Sequence, residues 1–254
     1  MTKGKLWTRE ELLLALNLYY KIPFGQFHQH NPKVINLANL IDRTPSSIAM
    51  QLSNFASLDP YHQERGVSGL RSPGKLAQKL WEEVQSDWEN VILESEYLLE
   101  SLTQPDERAS RLTQKEQSGP TETKRVVSVR LGQRFFRDSI LANYRARCCI
   151  CAMPIVELLI ASHIIPWKDR EDLRLNPSNG LCMCALHDKA FDRGFLSINE
   201  DYKVIVSSSL HDYSFHKSVK QGLIVYSNGS ISMPDRFAPD QVFLEIHRTQ
   251  YFIQ

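Results

Sequence analysis

The chain has 254 residues, of which 42% are hydrophobic and 23% charged, and its formal net charge is +1. These values are ordinary for a globular protein and fit one large domain or two small ones. No apolar run reaches the roughly 18 residues of a membrane-spanning helix, and the start "MTKGKLWTREELLL" has no signal-peptide core. We therefore expect a cytoplasmic protein without a membrane span. The small net charge neither favours nor excludes a nucleic-acid partner.

Residues 1–100 are predicted to form a helical domain. Thr8 and Glu11 have the spacing of a capping box, and the following "ELLLALNLYY" supplies an apolar helix face. The next apolar stretch divides into two short helices, because Thr44 is a good N-cap and Pro45 suits the first helical position. Helix, tight turn and helix in this order are typical of a helix-turn-helix DNA-binding segment.

The second helix of this segment is expected to expose its polar side chains. These give the candidate DNA contacts Ser46, Ser47, Gln51 and Asn54. The alternative is an ordinary helical hairpin in a bundle, since the polar residues are small and few are basic. The Leu- and Trp-containing stretch "KLAQKLWEEVQSDWENVILESEYLLESL", with a helix start expected at Ser72–Pro73, also predicts helix. Its outer face is acidic, so it should lie away from DNA.

A polar stretch, residues 101–125, has no apolar period and is interpreted as a linker to a second domain, residues 126–254. A basic strip crosses this boundary and leads directly to the cysteines. Between residues 122 and 147 it contains seven basic residues (Lys124, Arg125, Arg130, Arg134, Arg137, Arg145, Arg147) and two acids (Glu122, Asp138). Such a strip is typical of phosphate-backbone contact, with Arg134 and Arg145 as candidates. The alternative is a solvated helix face.

The second domain alternates helical and strand patterns. "VRLGQRFFRDSILANYRARC" predicts a helix, and the β-branched "LLIASHII" predicts a strand. A loop then leads to the short helix "ALHDKAFDRG", which Gly194 should end. The last segments predict a hairpin turning at residues 199–201 in "FLSINEDYKVIVSS" and a closing helix in "DQVFLEIHRTQYF".

Three polar features follow one another at fixed spacing: His163 on the predicted strand, Asn179 in the loop, and "HDKAFD" on the short helix. Together with "ELLIASHIIPW" and "NPSNGLCMCALHDKAFDRGFLSI", they resemble the ββα-metal unit of HNH nucleases over about residues 145–200. The likeness is to the branch found in predicted bacterial restriction enzymes. It implies an α+β fold with a C-terminal HNH domain, and a metal-dependent DNA endonuclease with a restriction or defence role.

The resemblance implies a catalytic group of His163, Asn179 and His187. A neutral imidazole can accept the proton of an attacking water, which suits His163, while Asn179 would hold the strand of His163 in place. A single Mg²⁺ or other divalent ion would sit between strand and helix. Asp188 and Asp192 lie four residues apart on one helix face and suit a hard cation. They also lie nine and thirteen residues after Asn179, where colicin HNH units place their helix ligands.

Two positions near this group are ambiguous. Many HNH nucleases carry His or Asp immediately before the base, where this chain has Ser162, a weak ligand. Either the ion has fewer protein ligands, or another group takes that place. Lys189 on the catalytic helix can reach phosphate or serve as a solvated charge. Trp167 is expected to pack rather than to take part in chemistry.

The cysteines Cys148, Cys149, Cys151, Cys182 and Cys184 are all of those in the chain. Cys148 and Cys151 form one metal knuckle, and Cys184 with His187 forms a second of the same spacing, so a structural Zn²⁺ is a candidate ligand. His187 would then serve zinc and leave the two aspartates for the catalytic ion. The alternative is that these thiols are small buried residues, which is what we expect of Cys149 and Cys182.

The preferred interpretation is an endonuclease that acts on double-stranded DNA as a homodimer, because one ββα site per chain would otherwise nick. The alternative from another class is a non-catalytic, zinc-stabilised DNA-binding regulator. The substitution of a metal ligand by Ser162 is its main support. An RNase is a third possibility, and the helix-turn-helix pattern argues against it.

Overall fold

The computed structural model describes residues 5–64, 66, 73–103 and 120–254, with side chains described from residue 126 in the last range. These residues divide into two compact units between Phe135 and Phe136. The first is helical and the second combines helices with two small antiparallel sheets, which confirms the predicted α+β class. Within the described parts of the chain, no helix is long and apolar enough to cross a membrane.

The N-terminal unit is built from helices, two of which begin directly after the predicted capping residues Thr8 and Thr44. Their bounds are α1 Arg9–Tyr20, α2 Pro32–Leu40, α3 Pro45–Leu58, α4 Pro60–Glu64, α5 Lys75–Ser86 and α6 Trp88–Thr103, followed by α7 Pro120–Asn143. The capping box forms as predicted: the Glu11 amide donates to Thr8 Oγ1 at 3.2 Å and the Thr8 amide to Glu11 Oε2 at 3.0 Å. The acidic helical stretch is two helices, which meet at Asp87.

Two earlier expectations fall partly outside the described residues. The helix start predicted at Ser72–Pro73 does so at Ser72, and the helix α5 begins later than predicted, at Lys75 with Gly74 as its N-cap. Most of the predicted linker does so as well. At its far end the structure differs from the prediction, because α7 begins at Pro120, inside the stretch predicted to be linker. A proline at the first helical position is favourable because its missing N–H would have had no helical partner.

The core of the N-terminal unit contains a buried ion pair as well as apolar side chains. Lys21 bonds to the carboxylate of Glu96, and both side chains are almost fully buried. Asn17 donates to Glu96 Oε1 at 2.6 Å and to Ser95 Oγ at 2.7 Å. Because these bonds join α1 and its C-cap to α6, they fix how the two helices pack.

The helix-turn-helix layout forms with α2, a turn containing the positive-φ residue Asp42, and α3. The expectation that Gln51 and Asn54 are exposed DNA contacts is wrong, because both are buried, with 4% and 8% of their surface exposed. Gln51 lies in the same apolar stripe as Ile48 and Phe55, at helical spacing, so packing of α3 covers it. Ser46 is exposed and Ser47 partly so.

The C-terminal unit places a hairpin, a short helix and a second hairpin around one core. Its further elements are β1 Leu159–His163, β2 Gly180–Cys184, α8 Ala185–Asp192, β3 Leu196–Ile198, β4 Val204–Val206, α9 Lys217–Gly222 and α10 Gln241–Gln250. β1 pairs antiparallel with β2, and β3 with β4. The predicted strand, short helix, second hairpin and closing helix are therefore confirmed.

The end of α8 is fixed by a close backbone approach. Gly194 has a φ of +74°, and a Cβ there would lie 2.1 Å from the carbonyl oxygen of Tyr251. The amide of Ile253 donates to the Gly194 carbonyl at 2.9 Å. Glycine is therefore required both for the left-handed turn and for the space.

Candidate active site and metal cluster

Asn179 fastens the loop that connects β1 to β2. Its side-chain Oδ1 accepts from the Ile165 amide at 2.9 Å, and its Nδ2 donates to the Ile165 carbonyl at 3.2 Å and to the Leu173 carbonyl at 3.5 Å. Its backbone carbonyl accepts from the Ile164 amide at 2.9 Å. The side chain is 1% exposed, so these bonds are shielded from water. They hold the chain immediately after His163.

The imidazole of His163 is oriented by two rings and one carbonyl. It stacks on Phe136, with centroids 3.8 Å apart and 9° between the planes, and meets the edge of Trp167. Its Nε2 lies 3.1 Å from the carbonyl oxygen of Arg174. A carbonyl only accepts, so Nε2 carries the proton and Nδ1 keeps a lone pair.

The protonation state of His163 follows from its surroundings. Burial disfavours the charged imidazolium and lowers the pKa of His163, although the hydrogen bond to Arg174 acts in the opposite direction. The ring is therefore neutral at neutral pH, with Nδ1 able to accept a proton.

Asp188 and Asp192 stand one turn apart on α8. Burial raises the pKa of both carboxyls. The nearby Asp192 raises the pKa of Asp188 further, whereas the Ser162 hydroxyl and Lys189 lower it. Asp188 is half-buried and Asp192 is exposed. Carboxylate oxygens are the ligands that a hard divalent cation prefers. The residues present therefore fit Mg²⁺ or a similar ion.

A second group, of soft ligands, lies at the start of α8. The ligand atoms of Cys148, Cys151, Cys184 and His187 all lie within 4.8 Å of one another. Nδ1 of His187 is 3.4 Å from Cys148 Sγ and 3.2 Å from Cys184 Sγ, and the Sγ atoms of Cys151 and Cys184 are 3.9 Å apart. Tetrahedral zinc, with Zn–S of about 2.3 Å and Zn–N of about 2.0 Å, spaces its ligands by roughly 3.5 to 3.8 Å. The cluster therefore has the dimensions of a structural zinc site.

Two further features prepare this cluster for a metal. Nε2 of His187 lies 2.9 Å from the carbonyl oxygen of Gly222, which fixes the proton on Nε2 and leaves Nδ1 as the ligand atom. Hydrogen bonds from Cys148 and from His187 lower the pKa of Cys184 to about 3, so its thiolate is favoured. Since His187 uses both ring nitrogens in this way, neither is available to the aspartates.

Cys149 and Cys182 lie in the core of the unit. Both are buried, the Cys149 amide donates to the Cys182 carbonyl at 2.7 Å, and burial raises the pKa of both thiols. They therefore stay protonated and pack as small apolar side chains, as predicted.

The candidate phosphate-contacting side chains differ in their surroundings. Arg134 and Lys189 are exposed. Arg145, which has a positive φ, makes a two-pronged ion pair with Asp235, with Nη2 2.7 Å from Oδ1 and Nε 2.8 Å from Oδ2. A phosphate would have to compete with Asp235 for this guanidinium.

Several parts of the site could not be found from the sequence. The ring of Phe136 and the carbonyl oxygens of Arg174 and Gly222 orient the two histidines, yet backbone carbonyls carry no residue-type signal. Trp167 packs on His163, in agreement with its predicted role, and the side chain of Arg174 lies over the indole at 4.9 Å.

Comparison with known proteins gives one finding that bears on this site. The family model described as HNH endonuclease matches residues 148–199, which include both knuckles, β1, β2 and α8. The predicted resemblance is thereby confirmed over that segment. No curated protein gives a significant match to the chain.

Proposed function

With an HNH endonuclease segment at residues 148–199, we propose that the chain is a metal-dependent endonuclease that hydrolyses phosphodiester bonds. The observation that carries the proposal is the orientation of His163. Its Nε2–H is held by a carbonyl, its Nδ1 is unprotonated, and it lies in the same ββα unit as Asp188 and Asp192. A general base and a cation-binding carboxylate pair are the two components that phosphodiester hydrolysis requires.

The residues of the site have separate tasks in this mechanism. His163 Nδ1 takes a proton from the water whose oxygen forms the new bond to phosphorus, and the bond from phosphorus to the leaving ester oxygen breaks. The Arg174 carbonyl, bonded to Nε2–H, stabilises the imidazolium that results. Asn179 keeps the strand of the base in place. Asp188 and Asp192 would hold a divalent cation, whose charge stabilises the phosphate and the leaving oxygen.

We assign Cys148, Cys151, Cys184 and His187 to a structural zinc ion rather than to the catalytic cation. The ligand spacing and the hydrogen bond from His187 to Gly222 support this assignment. A closed set of soft ligands leaves no open position for a substrate, as is usual for structural zinc. Elemental analysis of purified protein tests it: we expect about one zinc per chain, and its absence would overturn the assignment.

The substrate and assembly are part of the same proposal. We propose double-stranded DNA as the substrate and a restriction or defence role in the cytoplasm, in which the N-terminal unit selects a sequence or a modified base. Ser46 and Ser47 on α3, with Arg134, Arg145 and Lys189, are the candidate contacts. We further propose a homodimer, because two sites related by a two-fold axis can cut both strands of a two-fold DNA site.

The test of catalysis is digestion of supercoiled plasmid, modified and unmodified, with Mg²⁺. Wild type should nick or linearise the plasmid, His163→Ala should lose the activity, and His211→Ala should keep it. His211 is a suitable control because it is an exposed histidine of the same unit. Linear product from single binding events supports the dimer, whereas accumulation of nicked circles opposes it.

The second candidate is a DNA-binding regulator without catalysis, favoured by the presence of Ser162 where a charged ligand would strengthen a cation site. It predicts that wild type and His163→Ala are equally inert while both retard DNA in a gel. Under that result the nuclease proposal fails.

A further inference from the structure

Gly180 lies directly opposite His163 in the sheet. The two residues are Cα partners in the β1–β2 ladder, and residues paired in this way carry their side chains on the same face of a sheet. That face is covered by α7, whose Phe136 stacks on the imidazole of His163. A side chain at position 180 would therefore extend toward the ring that holds the candidate base.

The space above Gly180 is already filled by α7. A Cβ built on Gly180 would lie 2.7 Å from Cζ of Phe136 and 2.9 Å from Cγ1 of Ile140, and closer still to Cδ1 of Ile140. Carbon atoms in favourable contact are about 3.5–4.0 Å apart, so even one methyl group does not fit. Phe136 and Ile140 lie one turn apart on α7 and are 2% and 1% exposed. In a close-packed core, neither side chain has free space into which it could move aside.

Glycine is required at this position for space and not for backbone conformation. Gly180 has φ −134° and ψ 144°, extended values that any residue adopts. The helix cannot retreat either, because Arg137 fastens it to the start of β1. Its Nη1 donates to the Leu159 carbonyl at 2.7 Å, and its Nη2 to the Val156 carbonyl at 3.2 Å. An added methyl group must therefore displace side chains of α7, among them the ring of Phe136.

We propose that Gly180 is a positioning residue for the candidate general base. Because it carries no Cβ, Phe136 can lie flat against His163 and set the plane of the imidazole. The face of Phe136 and the carbonyl of Arg174 together fix the direction of Nδ1, the atom assigned to the attacking water. An imidazole tilted by a displaced Phe136 loses this direction. The inference rests on the proposed function, because it assumes that His163 acts as the base.

The test is Gly180→Ala in the full chain, measured first by initial rates of plasmid cleavage with Mg²⁺ over a range of plasmid concentrations. A displacement of about 1 Å at a reacting group can lower a rate about 100-fold. We expect kcat to fall by about 10- to 100-fold with KM unchanged, since the substitution alters the orientation of the base and no substrate contact.

The second measurement is the NMR spectrum of the histidine rings, which needs neither metal nor DNA. Ring protons over the face of an aromatic side chain are shifted upfield by its ring current. The ring-proton resonances of His163, assigned by their loss in His163→Gln, should therefore move downfield in Gly180→Ala. A general loss of stability would not produce this shift in the folded protein.

Phe136→Leu shows whether Gly180 acts through the ring. This variant removes the ring but keeps an apolar side chain, so it should show the same downfield shift and a similar fall in kcat. Once the ring is absent, an alanine at position 180 has no ring to displace. The double variant Phe136→Leu/Gly180→Ala should therefore have the kcat of Phe136→Leu alone, because the effects of two residues that act through one contact do not add.

Leu244→Ala is the control for a loss of core packing. Leu244 is a fully buried member of the same core and lies on α10. Its substitution should lower the urea midpoint and leave kcat and the His163 resonances unchanged. If Gly180→Ala does not fold, it is introduced into Ile140→Ala, which removes the closest atoms and leaves Cζ of Phe136 in place. The same shift and the same loss of kcat are then expected relative to Ile140→Ala.

The outcomes separate this inference from the proposed function. If wild type cleaves and Gly180→Ala has wild-type kcat and wild-type His163 resonances, the role of Gly180 is refuted and the endonuclease stands. If Gly180→Ala lowers kcat equally with and without the ring of Phe136, it does not act through that ring and the inference is also refuted. If wild type and His163→Ala are equally inert, the proposed function fails, and the inference fails with it.

Discussion

Replacing Asn179 by alanine tests whether one buried amide holds the loop behind the candidate base. The substitution removes the bonds to the Ile165 amide and carbonyl and the longer bond to Leu173. The Ile165 amide is then left without a partner in a place that is 2% exposed. One lost hydrogen bond costs about 1 kcal/mol, and a buried unpaired donor about 1–3 kcal/mol. We therefore expect the loop to lose roughly 2–4 kcal/mol of local stability.

Native-state hydrogen exchange measures this loss where it occurs. Peptides covering residues 159–184 should exchange roughly 30-fold to several hundred-fold faster in Asn179→Ala, since about 1.4 kcal/mol corresponds to a factor of ten. Asn176→Ala is the matched control. Among the described residues, its partly exposed side chain accepts one hydrogen bond, from the Ser178 amide at 2.9 Å. If the two variants change exchange equally, the buried amide does not hold the loop and the reasoning is refuted.

Three further predictions concern protons, metal and the N-terminal unit. Because burial lowers the pKa of His163, cleavage should stay constant down to the ordinary histidine pKa of about 6.5 and fall below it. The contribution of this histidine to stability should be present above about 6.5 and be lost as pH falls through its lowered folded pKa. The pH profiles of the cleavage rate and of urea unfolding check the two expectations. Cys184→Ser should remove zinc and destabilise the C-terminal unit, whereas Cys182→Ser should retain zinc. Elemental analysis measures the zinc content of both variants, and equal content would contradict the assignment. Glu96→Ala should lower the free energy of unfolding, measured in urea, by about 3–5 kcal/mol, because the charge of Lys21 is left buried. Glu94→Ala removes an exposed ion pair with Arg9 and should lower it by less than about 1 kcal/mol. Similar losses in the two variants would count against a special role for the buried pair.

The sequence predicted the parts of the fold that local rules govern. Capping at Thr8 and Thr44, the strand with His163 and the end of α8 near Gly194 all depend on neighbours within a few residues, and all are found in the structure. The family resemblance was available from residue types and spacing, and the family match covers the same segment.

What could not be predicted depends on packing between distant segments. Polar character suggested that Gln51 and Asn54 face solvent, but both are buried, Gln51 within the helical stripe that it shares with Ile48 and Phe55. The burial of Gln51 could have been predicted from helical spacing, because Gln51 lies three residues after the apolar Ile48. The carbonyls that orient the two histidines could not have been found, since any residue type supplies one.

The hydrogen bond from His187 to Gly222 joins residues 35 positions apart. All four ligands of the cluster lie before residue 188, yet the carbonyl that holds the imidazole in its ligating form is synthesised much later. During translation, a chain that ends between these points has every ligand but an unrestrained ring. The hydrogen bond that orients the imidazole can therefore form only after α9, which ends at Gly222, has been synthesised.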